Sequence, residues 1–344
     1  MTQRTGRSDG KQLPLVSVGI PVFNGENYLD EAIRSVRSQT LSDLELVIAD
    51  NASTDRTEQI CRDHAAADPR IVYVRNEHNL GAIPNYNRTF DLARGRYFKW
   101  LAHDDRILPG YLAATTAALE ADPSAVLCNS LVEYIGRNGQ RLANYESVLA
   151  DADLPSPSAR FATLVLRSHS VVDIFATFRR SAWLGNRKGS FHGEDRAFLA
   201  YMALKGRLIH VKEPLNQMRE HPNRYTRAVR SSRDRLSWHD TSKRGQLSFP
   251  TLRLFSEYAR IVRNVPMPAA ERRRCQLVLA RWWFTNYNLV RAGVDLGSVA
   301  LPELVSFAEN VKTRLLGAAP GHTFVDADRS LAGAEPDPSG KSGK

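Results

Sequence analysis

Residues 16–55 read VSVGIPVFNGENYLDEAIRSVRSQTLSDLELVIADNASTD. Val16 to Ile20 is a short apolar run, long enough for a buried strand and too short for a helix. Glu26 to Ser38 then places Tyr28, Leu29, Ala32, Ile33 and Val36 at helical spacing, and Leu44 to Ala49 is a second apolar run. Strand, helix and strand in so short a length predict a βαβ unit with parallel strands. The alternation continues with helix Thr54–Ala67, for which Ser53 is the expected N-cap, and strand Ile71–Val74. It goes on through helix Pro84–Ala93 closed by Gly95, strand Tyr97–Leu101, helix Gly110–Glu120 stopped before Pro123, and strands Ala125–Cys128 and Val132–Ile135. The expected class is therefore α/β, a mostly parallel sheet flanked by helices. The middle is less regular: a Pro-rich loop over 151–160, a strand Val171–Phe178, a helix Glu194–Lys205 and a strand Arg207–Val211.

The bulk numbers fit one large domain with an appendage: 344 residues, 42% hydrophobic and 24% charged. A net charge of +10 predicts a surface that attracts anions, whether nucleotides, nucleic acid or an acidic membrane face. Cys61, Cys128 and Cys275 show no zinc-ligand spacing; Cys61 and Cys128 read as buried thiols, and the pattern suits a reducing, cytoplasmic setting. Neither a signal peptide nor an apolar run of spanning length is expected. The stretch after the first strand lacks GxGxxG, which argues against a dinucleotide dehydrogenase, and no GxxxxGK[ST] occurs anywhere, which disfavours a P-loop NTPase.

In an open parallel sheet, ligands bind beyond the carboxyl ends of the strands. All four early strands end in polar, turn-forming clusters: PVFNGEN after the first, Asp50-Asn51-Ala52-Ser53-Thr54-Asp55 after the second, Asn76 with Asn79-Leu80-Gly81 after the third, and His103-Asp104-Asp105 after the fourth. Each has a plain reading as a turn or helix start, but all four converge on one edge. Asp104 and Asp105 stand out, because adjacent carboxylates beside an apolar strand repel and need compensation. Mg²⁺ or Mn²⁺, shared with phosphate oxygens, compensates such a pair directly.

The ordered motifs VSVGIPVFNGENYLDEAIRSVRSQT, LELVIADNASTDRT, NEHNLG, GRYFKWLAHDD and GEDRAFLAYMALKG resemble those of family 2 glycosyltransferases, which have the GT-A fold, over about residues 14–222. The resemblance implies a nucleotide-sugar donor, a Mg²⁺ or Mn²⁺ cofactor and an inverting transfer to an acceptor hydroxyl on a glycan, a lipid-linked or a small-molecule acceptor. It places Pro21, Phe23, Asn24, Glu26, Asp50, Asn79, Gly81, Asp104 and Glu194 at the donor, Asp104, Asp105 and His221 at the metal, and Asp195 as the catalytic base. Ala102 departs from the pattern, standing where the family's DxD motif has its first Asp. Independently, a cation offsets charge on a leaving diphosphate, and a carboxylate can take the acceptor's proton.

The expected organisation is a flexible N-terminus over 1–13 and a GT-A catalytic domain over 14–225. That domain divides into a nucleotide-binding half, 14–135, and an acceptor half, 136–225. A basic helical region follows over 226–316, and then a disordered tail over 317–344. In the basic region, Trp282, Trp283 and Phe284 lie among arginines, a mix suited either to packing on the catalytic domain or to a peripheral contact with the anionic inner face of a membrane. Nucleic acid is not an expected partner. The competing readings are a non-catalytic basic binding protein with a degenerate GT-A domain, and a nucleotidyltransferase. The latter would need a Gly-rich basic loop after the first strand, which PVFNGEN does not supply.

Overall fold

The computed structural model describes residues 13–300, apart from 146, 148, 223, 225–231, 245, 247 and 248. The expectations for residues 1–12, 226–231 and 301–344 lie outside the described residues. The first half alternates β1 (Val16–Val22), α1 (Leu29–Arg37), β2 (Leu44–Asp50), α2 (Thr57–Ala67), β3 (Ile71–Arg75), α3 (Ala82–Leu92) and β4 (Tyr97–Trp100). These strands pair in parallel in the order β3-β2-β1-β4. β1 and β2 are buried along their whole length, as befits central strands with helices on both faces. Gly19 of β1 is needed for this packing: a Cβ there would lie 2.8 Å from Phe98 of β4 and 2.8 Å from Thr89 of α3. The strand order reverses between β1 and β4, and the carboxyl ends of all four strands share one edge.

The second half comprises β5 (Arg106–Ile107), α4 (Tyr111–Ala121), β6 (Ala125–Ile135), β7 (Arg141–Tyr145), α5 (Leu149–Ala152) and α6 (Pro157–Leu166), then β8 (Thr177–Arg179), α7 (Arg180–Trp183), α8 (Glu194–Lys205) and β9 (Arg207–Arg219). β8 joins antiparallel between β4 and β6, β9 runs parallel to β6, and β5 closes the far edge. The two strands expected over 125–135 are one continuous strand. The polar pair that interrupts the apolar pattern, Asn129-Ser130, is buried and satisfied there, with Asn129 accepting from the Tyr111 hydroxyl at 3.0 Å and donating to Asp173 at 2.9 Å. The strand expected over Val171–Phe178 is a 3₁₀ turn, Val172–Phe175, followed by the short β8. Asp173 causes the difference: its buried carboxylate is taken by Asn129 and Ser147, and its carbonyl receives the Ala176 N–H. Ser53 is not the N-cap of α2. Its hydroxyl accepts the Asn24 N–H at 2.9 Å, and α2 begins at Thr57, whose N–H is held by Asp55 at 3.0 Å.

The C-terminal part adds α9 (Ser232–His239), α10 (Pro250–Asn264), α11 (Ala269–Trp282) and α12 (Asn288–Ala300). Tyr258, Ile261 and Val262 of α10 and Trp282 of α11 share one core with Phe161 of α6 and Ala200 and Leu204 of α8. Trp282 therefore packs on the domain, stacked on Phe255 at 5.6 Å, whereas Phe284 is 82% exposed. Glu271, in the first turn of α11, accepts the Ser158 N–H at 2.9 Å and so ties the appendage to the start of α6. The three cysteines are buried and free.

Candidate active site

On the donor side the loops after β1 and β2 interlock. Asn24, in a left-handed conformation (φ 52°), accepts the Thr54 N–H at 2.9 Å. Glu26 gives its N–H to Asp55 at 3.0 Å and accepts the Arg56 N–H at 3.2 Å. Pro21 is a buried strand residue opposite Ala49, and Phe23 is 42% exposed beside it. Asp50 is fully buried at the end of β2, holding the Ser53 N–H and the Tyr73 hydroxyl, each at 2.9 Å, with Arg75 at 3.3 Å. Asn79 accepts from Asn51 and from the Gly81 N–H, each at 2.8 Å. Asn51 and Asn76, which the sequence reading placed in the strand-end clusters without a role, and Asn85, which it passed over, complete this edge. Asn51 bridges Asn76, Asn79, the Leu80 N–H and the Gly81 carbonyl, and Asn76 and Asn85 carry the chain of amides onward to the Ala49 carbonyl. Their one visible signal is an Asn directly after each of two strands and another in the following helix.

At the end of β4 the polar groups are charged. Asp104 Oδ2 and His221 Nε2 are 2.9 Å apart, although 117 residues separate them in the chain. Arg219, 1% exposed, makes that meeting possible: its backbone N–H donates to Asp105 at 2.8 Å and its Nε to the Asp104 carbonyl at 3.0 Å. The end of β9 is thereby pinned to the HDD turn, and His221, two residues on, faces Asp104. Burial opposes ionisation of Asp104, but the His221 contact and the nearby His103 and Arg224 hold its carboxyl well below the usual range. Asp105 is turned to the Arg219 N–H, and burial with the Asp104 charge beside it pushes it up to about 7. Among the described residues no group of three or more His, Cys, Asp and Glu side chains is placed to hold an ion. Asp104 and His221 form a two-ligand pair, which suits a cation that takes its remaining oxygens from phosphate and water.

The second acidic pair begins α8. Glu194 is 3% exposed, and burial together with Asp195 raises its carboxyl well above the usual value. Burial also opposes ionisation of Asp195, but the Lys188 ammonium, 2.5 Å away, brings it down to about 2. Tyr86 of α3, half-buried, feels the charges of Asp195, Asp104, Glu194 and Asp105 and is raised well above its ordinary value, desolvation being the largest cause. The charges of both acidic pairs therefore reach this ring. Across the opening lies a segment from beyond the resembling motifs: Thr241 donates its N–H to the Leu80 carbonyl at 3.3 Å and its hydroxyl to Asn79 O at 2.9 Å, while Lys243 donates to Ser190 O at 2.9 Å. It runs so close that a Cβ on Gly81 (φ 91°) would lie 2.6 Å from the Asp240 backbone.

The parallel half-sheet with its switch point, extended by the mixed strands of the second half and flanked by helices, has the GT-A fold. The S. aureus TarS 1–349 structure with UDP-GlcNAc has this fold, with a TM-score of 0.57 at 17% identity over 78% of this chain and 72% of that one. So does the mannosyltransferase PcManGT of Pyrobaculum calidifontis, solved with GDP-Man and Mn²⁺, with a TM-score of 0.53 at 18% identity over 95% and 83% of the two chains. Residues 17–183 match Glycosyl transferase family 2, and the chain carries a domain of that family. A curated relative is the GalNAc(5)-diNAcBac-PP-undecaprenol beta-1,3-glucosyltransferase of Campylobacter jejuni, 32% identical over 36% of this chain and 40% of the relative. The chain spans less than half the length of the curated relatives it matches.

Proposed function

We propose that the protein is a divalent-metal-dependent, inverting glycosyltransferase that moves a sugar from a nucleotide-sugar donor to an acceptor hydroxyl. The observation that carries this reading is the presence of two buried acidic pairs, one with its Asp104 beside His221 and one with its Asp195 beside Lys188, whose charges both reach Tyr86. Asp104 and His221 would hold Mg²⁺ or Mn²⁺, which supplies a counter-charge to the leaving diphosphate. Asp195, kept anionic, takes the acceptor's proton as the acceptor oxygen bonds to the anomeric carbon and the bond to the diphosphate breaks. Attack on the face opposite the leaving group inverts the anomeric centre. Asp50, Asn79, Gly81 and the 21–26 loop form the wall against which base and ribose would lie. A thermal-shift screen of UDP-, GDP- and dTDP-sugars with Mn²⁺ tests the reading: one donor should raise Tm by linkage, and EDTA should remove the effect. No stabilisation by any donor, or full stabilisation under EDTA, would count against it.

The same reading extends to the acceptor. No described helix is long and apolar enough to cross a membrane. Around the α11–α12 turn, however, Phe284 and Tyr287 are 82% and 80% exposed, with Leu289 and Val290 exposed beside Arg281 and Arg291. Apolar side chains among arginines suit the anionic face of a membrane, where a lipid-linked glycan would be met. Co-sedimentation with phosphatidylglycerol vesicles at low salt should occur and should weaken for Phe284→Ser/Leu289→Ser; equal recovery with neutral vesicles contradicts it.

A further inference from the structure

Lys188 lies in the polar loop between α7 and α8, where a cation would ordinarily point to water, yet its side chain is 1% exposed. Asn87 of α3 fixes its backbone from both sides, accepting the Lys188 N–H at 2.9 Å and donating to the Lys188 carbonyl at 3.0 Å. From that anchored peptide the ammonium reaches Asp195 at 2.5 Å and Glu194 at 2.9 Å. Three aromatic rings enclose it, Trp100 at 5.1 Å, Tyr86 at 5.2 Å and Phe198 at 5.9 Å, which offsets part of the cost of taking an ammonium out of water. Asp195 alone of the three keeps access to solvent, at 28% of its side chain. One cation serving two carboxylates leaves one negative charge uncompensated, and burial with the neighbouring charge raises the Glu194 carboxyl well above its ordinary value.

We propose that Lys188 is the positioning residue of the base: its ammonium fixes one oxygen of Asp195 and supplies the counter-charge that keeps this carboxylate anionic in a desolvated chamber. The inference rests on the reading of Asp195 as the base. In the transfer step the acceptor's proton passes to Asp195, the acceptor oxygen bonds to the anomeric carbon, and the electron pair of the broken bond leaves with the diphosphate. Lys188 touches none of these atoms and acts through Asp195 alone. Among the described residues, the other titratable groups whose charge bears on Asp195 include Glu194 on α8, Tyr86 from α3 and His239 from α9.

The test uses the full-length protein labelled with [4-¹³C]aspartate, with the Asp195 resonance assigned by its loss in Asp195→Asn. In the wild type this carboxyl should stay ionised throughout the range above about pH 4. In Lys188→Met its titration should move up by about two to three pH units, and so enter that range. Lys188→Gln, which keeps a donor without the charge, should behave as Lys188→Met does, and Lys188→Arg as the wild type. The acid limb of nucleoside diphosphate release from UDP-GlcNAc or GDP-mannose with Mn²⁺ should move by the same amount. An Asp195 titration at its wild-type position in either folded neutral variant overturns the inference. Retained turnover in Asp195→Asn instead overturns the assignment of the base, whatever the Lys188 variants show.

Discussion

At the ends of β2 and β3 the polar side chains answer one another chiefly with hydrogen bonds. Asn51, Asn76, Asn79 and Asn85 form a chain of amides, and Asp50 is enclosed by a backbone N–H, a hydroxyl and an arginine. At the end of β4 and the start of α8 the groups are charged and buried, and neighbouring carboxylates are driven apart in protonation: Asp104 down and Asp105 up, Asp195 down and Glu194 up. The first region is a scaffold held by its own hydrogen bonds, with the buried Asn76 Oδ1 left without a partner. The second holds charges that cost free energy to bury, and such arrangements cluster where chemistry is done. The donor wall should therefore respond to substitution chiefly in stability, and the acidic chamber chiefly in turnover.

The largest effect is expected in the chamber. Asp195→Asn should cut transfer by about 10²–10⁴-fold, the usual worth of a positioned base, with donor binding retained; near-normal turnover in steady-state assays would erase the contrast between the regions. On the wall, Asn51→Ala strands several buried amide and backbone partners and should cost about 2–4 kcal/mol in urea unfolding. A loss below about 0.5 kcal/mol would show that the amide chain is not structural. A third effect bears on how the appendage is held. The backbone N–H of Ser158 and the hydroxyl groups beside it bring Glu271 down to about 2, from 4.5 in the unfolded chain. A depressed carboxyl stabilises above its unfolded value and loses that contribution as pH falls toward its folded one. Glu271→Gln should thus lower Tm at pH 7, with the difference closing as the pH approaches 2; a gap that persists in acid would point to packing instead. The smallest effect belongs to Ala52, which holds φ 63° where a side chain is disfavoured. Ala52→Gly should stabilise by roughly 0.5–1 kcal/mol without altering turnover.

Much of this contrast is legible before folding. Four strands and the helices between them follow from the periodicity of residues 16–120, and the polar clusters at their ends mark the edge where Asp50, Asn79 and Asp104 gather. The second half was harder to read because burial there overrides composition. Asn129 and Ser130 look like a break and sit inside β6, while Asp173 looks like part of a strand and makes a 3₁₀ turn. Lys188 carries no local signal at all: NRKGS reads as a solvated loop, and only the rings of α3, β4 and α8, together with Asn87, draw the side chain inward. Arg219 carries no local signal either, since its partners Asp104 and Asp105 are 115 and 114 residues away. The strap at Asp240–Lys243 lies outside the motifs, so nothing in them announces its contact with Asn79 and Ser190.

The central claim is that the two acidic pairs divide the labour, one holding the diphosphate and one taking the proton. Calorimetric titration of UDP and GDP in the presence of Mn²⁺ into Asp104→Asn and Asp195→Asn tests that division most directly. Asp104→Asn should lose Mn²⁺-dependent binding by tenfold or more, about 1.4 kcal/mol, while Asp195→Asn binds as the wild type does. Undiminished binding by Asp104→Asn, or equal losses in both variants, would contradict it.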